Sequence, residues 1–187
     1  MIPILPDGTD AERWPHRPAE LIEPWRSPLG RDFEAYRNHV FRVFTFGVRL
    51  GGNAPESVEK IAIAAVYHDL GIWTDRTFDY LPHSIRLARA HLAATGRGQW
   101  VEEIVAMIDE HHKITPYRSR PDWLVEPFRR ADLVDLSLGT IRFGLGREFV
   151  REVRERFPNC SFHGRLAELA MARLGSDPFD PLPMMKW

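Results

Sequence analysis

Along most of this chain the apolar positions recur every three or four residues, the period of helices with one buried face. In "DFEAYRNHVFRVFTFGVRL" Phe33, Tyr36, Val40, Phe44 and Val48 make one such stripe, which Gly51-Gly52 closes. "APESVEKIAIAAVYHDLG" predicts a second helix, with Pro55 near a first-turn position, Glu56 and Glu59 early, and Gly71 at its end. Its C-terminal half is apolar on nearly every side, so that half is expected to be buried. "IWTDRTFDYLP" reads as a loop. A third helix is predicted from Pro82 to just before Gly96, and a fourth over "GQWVEEIVAMIDEHHK" with Val101, Ile104, Val105 and Ile108 on one face. Pro116 and Pro121 bound the next loop. Helices from about Trp123 to Ser137, Arg147 to Arg156 and Ser161 to Leu174 complete the series. No stretch alternates with a period of two, so the fold class is all-α, a helical bundle.

The two ends break the pattern. Residues 1–30 carry Pro3, Pro6, Pro15, Pro18, Pro24 and Pro28 with Trp14 and Trp25, and are read as an extended N-terminal arm. One short helix around residues 18–26 is expected in it, with the tryptophans pinning it to the body. The tail "SDPFDPLPMMKW" is Pro-rich and is read as irregular. The division is thus an arm over 1–30, a helical domain over 31–175 and a tail over 176–187. A length of 187 residues suits one domain with a substantial core, and 44% apolar residues is a normal globular content.

Charge and cysteine narrow the class. A net charge of -1 gives no electrostatic footprint for a nucleic-acid backbone. Cys160 is the single cysteine, which excludes an internal disulfide framework and a Cys-rich zinc site. It fits a reducing, cytoplasmic compartment. The start "MIPILPDGTD" is no ordinary signal peptide, and the longest apolar run, Ile61 to Tyr67, is too short to span a bilayer, so no membrane partner is expected. An exposed arm and tail make a homodimer a reasonable expectation.

The polar residues on these helices then become informative. His39 lies in the first long helix, His68 and Asp69 close the second, His83 opens the third, His111-His112 close the fourth, and Asp132 lies in the fifth. Two polar side chains ending an apolar run are costly to bury unless partnered. Imidazole and carboxylate without thiolate suit divalent iron, manganese, zinc, nickel or magnesium. Bundle cores house such sites, built from side chains that project inward from facing helices. The bland alternatives are ordinary. Asp132 could pair with Arg129 or Arg130, with Asp135 as an alternative partner of either arginine. His91 could be a solvated or hydrogen-bonded residue, and His16 and His163 lie outside the pattern.

His39, His68-Asp69 and Asp132 resemble the H…HD…D signature of the HD-domain superfamily of metal-dependent phosphohydrolases. "NHVFRVFTFG", "AAVYHDLGIW" and "RRADLVDLS" look like the corresponding helical segments, over residues 31–140. The resemblance implies an HD-type all-α bundle. It also implies one or two divalent metal ions per chain, with a metal-activated water attacking a phosphorylated small molecule, a nucleotide among the candidates. His83 and His111-His112 add the H…HD…H…H…D arrangement of binuclear members. The ligand set implied is then His39, His68, Asp69, His83, His111, His112 and Asp132, with Asp69 bridging and either or both of His111 and His112 ligating. Asp69 and His68 are the implied catalytic residues.

Many such hydrolases carry a lysine soon after the dyad, where this chain has Ile72. Arg86, Lys113 and Arg118 are the candidate substitutes for phosphate contact, and Asp109 and Glu110 the candidate general acids. Trp73, Phe78 and Tyr80 follow the dyad in a segment that could overhang the ions. A second reading is an HD-type diiron oxygenase acting on a small hydroxylated substrate. Such proteins use the same ligand set, and Glu34 and Tyr36 stand just before the first ligand. A third is a non-catalytic module stapled by its metals, with Trp14, Trp25, Met184, Met185 and Trp187 as partner-binding surface.

Overall fold

The computed structural model describes residues 16–176 and Met184, and among these every regular element is helical. In chain order the helices are α1 (His16–Ile22), α2 (Arg26–Leu29), α3 (Phe33–Gly51), α4 (Pro55–Tyr67) and α5 (Gly71–Thr74). They continue with α6 (Leu81–Ala94), α7 (Val101–Glu110), α8 (Val125–Leu136), α9 (Arg147–Arg156) and α10 (Phe162–Ser176). The core is built on α3, which packs along α8 and against α4, while α7 bridges α4, α6 and α8. Every residue of α4 from Ile61 to Tyr67 is buried. At about 1.5–3 kcal/mol for each large aliphatic side chain fully buried, this helix is a main source of stability. Gly47 lets α3 come close, because a Cβ there would fall 2.8 Å from Cγ2 of Ile61.

The N-terminal segment matches the sequence expectation in part: α1 lies where one short helix was expected, but the rest of residues 16–32 is not extended, for a tight turn, Glu23–Trp25, joins α1 to α2 and a second turn, Gly30–Asp32, leads into α3. Pro18, Pro24 and Pro28 each fall within the first turn of a short helical piece, where the missing N–H costs nothing. Leu21, Ile22 and Leu29 are buried, Trp25 meets Tyr67 edge-on at 5.9 Å, and Arg17 forks onto Glu59 of α4. Trp14, Met185 and Trp187 lie outside the described residues.

The segment after the dyad also contains a helical turn, α5. Its first residue must be small, since a Cβ on Gly71 would lie 2.6 Å from the carbonyl oxygen of Tyr80. The Gly71 N–H donates to Oγ of Ser84 at 2.9 Å. This contact fixes the start of α6 against the end of α4 and brings Tyr80 to the dyad. No helix among the described residues is long and apolar enough to cross a membrane.

Candidate metal centre

Helix α4 ends inside the protein. His68 continues its geometry, with an N–H bonded to the Ala64 carbonyl at 2.9 Å, and Asp69 turns away directly after it. Around this end stand His39 from the middle of α3, Asp132 from α8 and His111 at the end of α7, all buried.

Their atoms converge. Nε2 of His39 and Nε2 of His68 are 2.9 Å apart. Oδ2 of Asp69 lies 3.7 Å from the first and 3.5 Å from the second, and Oδ1 of Asp132 lies 3.7 Å from both. Atoms bound to one ion at about 2.1 Å stand roughly 3–3.5 Å from one another. The other Asp69 oxygen, Oδ1, lies 3.4 Å from Nε2 of His111. Two groups therefore form, His39–His68–Asp69 and Asp69–His111–His112, sharing Asp69.

The outer nitrogens fix the chemistry of the inner ones. Nδ1 of His39 donates to Oδ2 of Asp135 at 2.7 Å, Nδ1 of His68 to the Ala65 carbonyl at 2.9 Å, and Nδ1 of His111 to the Ile108 carbonyl at 2.6 Å. Those acceptors carry no proton to give, so in the neutral rings each Nε2 keeps a lone pair, as metal-binding histidines do. Two such lone pairs facing each other at 2.9 Å need a cation or a proton between them. Asp69 Oδ1 and His111 Nε2 are buried without any hydrogen-bond partner. Unpartnered buried groups of this kind are costly. These donor atoms fit a divalent metal.

The electrostatics agree. Burial alone would depress His68, but the Asp69 and Asp132 carboxylates outweigh it and lift the ring to about 9. Burial alone would raise Asp69, yet His68 and then His111 hold it well below the usual carboxylate range. Asp132 is lowered too, against the same cost of burial, chiefly by its hydrogen bond to His68. The pocket thus favours positive charge at its centre.

Not every expected ligand joins the cluster. His83 turns its Nδ1 to Asp75 at 2.9 Å and is partly exposed, so it stands outside both groups. His111 and His112 separate by their partners. Nε2 of His111 is free and faces Asp69, whereas Nε2 of His112 is hydrogen-bonded to the Tyr80 hydroxyl. Burial, then the neighbouring His111, pushes His112 down to about 3, so the ring stays neutral. Burial and the Asp69 charge push the Tyr80 phenol well above its ordinary range, so it keeps its proton.

Asp132 does not pair with Arg129 or Arg130; both arginines bind Glu126, and Asp135 binds Arg42 and His39 instead. Arg86 pairs with Asp75 and Lys113 with Glu110 on the surface, while Arg118 lines a cleft next to His112. Asp109 is exposed, and Glu110 is taken up by Lys113. Glu34 pairs with Arg37 at the surface, and the Tyr36 hydroxyl donates to the Val66 carbonyl. Neither is free to gate a site. Trp73 donates to Asp32 and packs on Tyr36.

Several contributors were passed over in the sequence. Phe162 of α10 stacks on the His39 ring at 4.1 Å. His163 Nε2 donates to the Asp135 carbonyl at 3.1 Å. Arg42 holds Asp135 with Nε at 2.5 Å from Oδ1. Asp135 was legible as the residue three after Asp132, on the same face of one helix; Phe162 and His163 left no signal at that distance in sequence.

A cavity of about 320 Å³ opens onto Asp69 and His112, walled by Phe78, Tyr80, Leu136 and residues of α10. Searches of curated proteins and of solved structures gave no match. The family model of the HD domain matches residues 36–137, more than half the chain and the whole span from His39 to Asp132. The chain belongs to the HD-domain family.

Proposed function

We propose that this protein is a metal-dependent phosphoric ester hydrolase of small molecules. The observation that carries the reading is the convergence of buried lone pairs, two of them (Asp69 Oδ1 and His111 Nε2) without partners, on two points that share Asp69. His39, His68, Asp69 and Asp132 would hold one divalent ion, and Asp69 with His111, supported by His112, a second. Such ions lower the pKa of bound water toward neutrality and polarise a phosphoryl oxygen. The protein's own part is to fix the donors. Asp135 and the Ala65 and Ile108 carbonyls hold the ligand rings in the correct tautomer, and Phe162 excludes water from one face of His39.

In the net reaction the water oxygen bonds to phosphorus, the ester P–O bond breaks, and the alcohol leaves with a proton. Phosphate contact would fall mainly to ions held by these residues, since the cationic side chains nearby are engaged elsewhere. The position usually held by lysine is Ile72, which is buried, and Arg86 and Lys113 are spent on surface carboxylates. Turnover of p-nitrophenyl phosphate tests the reading. Activity should persist without oxygen, vanish with a chelator, return with divalent metal, and fall to background in Asp69→Ala. A requirement for oxygen would favour the diiron oxygenase, and no turnover of any phosphate ester by metal-loaded protein would remove the hydrolase reading.

A further inference from the structure

The cavity beside Asp69 says what kind of ester the site would take. Its walls are Phe78, Tyr80, Leu136, Leu166 and Met184, with the small side chains of Ala167 and Ala170 leaving the space on the α10 side. Its polar lining comes from Asp69, His112 and His163, all beside the candidate metals or behind them. The His163 ring is already committed, with Nε2 on the Asp135 carbonyl and Nδ1 on the Asn159 side chain. His112 is committed to Tyr80. Among the described residues no lysine or arginine lines it.

A nucleobase placed there would find no hydrogen-bond partner in the apolar walls, so the polar edges turned inward are left unpaired at a cost and only those at the open side, by Leu136, stay hydrated. A ribose would meet the same walls. The cavity volume, about 320 Å³, lies at the small end of ligand pockets. Because the chamber opens onto Asp69 and His112, a bound group is continuous with the metal centre.

We infer that this chamber takes the organic part of the substrate, and that this part is a small apolar alkyl or aryl group and not a nucleoside. The inference rests on the hydrolase reading for the phosphate half of the molecule, while the chamber itself is argued from its walls alone. Specificity would then come from hydrophobic fit to the leaving alcohol, with Ala167 and Ala170 setting its length.

Calorimetric titration of the metal-loaded protein with non-hydrolysable alkylphosphonates tests this without relying on turnover. From methyl- to hexylphosphonate the dissociation constant should fall by about tenfold or more, following the apolar surface buried. Adenosine monophosphate should bind more weakly than hexylphosphonate. In Ala170→Trp, and in the milder Ala167→Leu, the ratio between the methyl and hexyl constants should move toward one. A flat series in the parent protein, or adenosine monophosphate binding better than hexylphosphonate, would overturn the proposal. A flat series with p-nitrophenyl phosphate turnover intact would sink the chamber and spare the hydrolase. The same chain-length dependence in simple alcohols, with no turnover of phosphate esters, would support the chamber and sink the hydrolase.

Discussion

Asp135 belongs to neither group of converging atoms, yet it holds the centre in place. Its carboxylate is fully buried between His39 Nδ1 and the Arg42 guanidinium, which is itself 1% exposed. Burial would raise it, but the His39 and Arg42 hydrogen bonds hold it well below the carboxylate range. Removing one member of a buried ion pair strands the other charge. Asp135→Asn should therefore lower the unfolding free energy by about 3 kcal/mol. It should also weaken metal affinity by about 10–100-fold, the usual effect of losing the group that orients a ligand histidine. Urea denaturation and metal titration would read the two effects, and unchanged metal affinity would show that His39 needs no anchor. The contrast with Asp132, three residues earlier, shows how two carboxylates on one helix face take different roles. One faces the His39–His68 nitrogens and the other backs them.

At the scale of elements, Glu126 ties the start of α8 to the preceding loop. It accepts the Tyr117 N–H at 2.8 Å, two nitrogens of Arg129 at 2.8 Å and Nε of Arg130 at 2.7 Å. Burial resists ionisation, but the Arg129 hydrogen bond and its neighbours win and lower the group from 4.5 to about 2. A depressed carboxyl stabilises the fold fully above its unfolded value and loses that contribution as pH falls through the folded one. Glu126→Gln should thus cost about 2 kcal/mol at pH 7. The gap to the parent should shrink as pH falls from 4.5 toward 2. Denaturation midpoints of both proteins across that range would show it, and a pH-independent gap would mean that Glu126 acts through packing alone.

The same scale explains which elements the sequence could reveal. Helices α3, α4, α6 and α9 carry enough apolar repeats and glycine or proline stops for their ends to be read within a few residues. Helix α5 has only four residues, too few for a period. Of residues 16–32 only one short helix was legible, because proline density argues against one long helix but does not reveal further short pieces that each begin near a proline.

Over the whole molecule, the donors come from α3, the end of α4, the end of α7 and α8, far apart in sequence and brought together by packing. The resemblance in residue type and order offered His39, His68, Asp69, His83, His111, His112 and Asp132 as one set, without choosing between His111 and His112. It could not show that His83 turns to Asp75, since that depends on the rotamer at the start of α6, nor that Tyr80 takes up His112. The chamber was invisible for a further reason: its α10 wall is ordinary amphipathic helix until folding lays it over Asp69. Metal content, by elemental mass spectrometry on protein purified without chelator or added metal, asks most directly whether Asp69 joins two ion sites. Close to two divalent ions per chain in the parent, with most of both lost in Asp69→Ala, is the expected result. No metal in the parent even after reconstitution, or an Asp69→Ala protein that keeps its full complement, would contradict it.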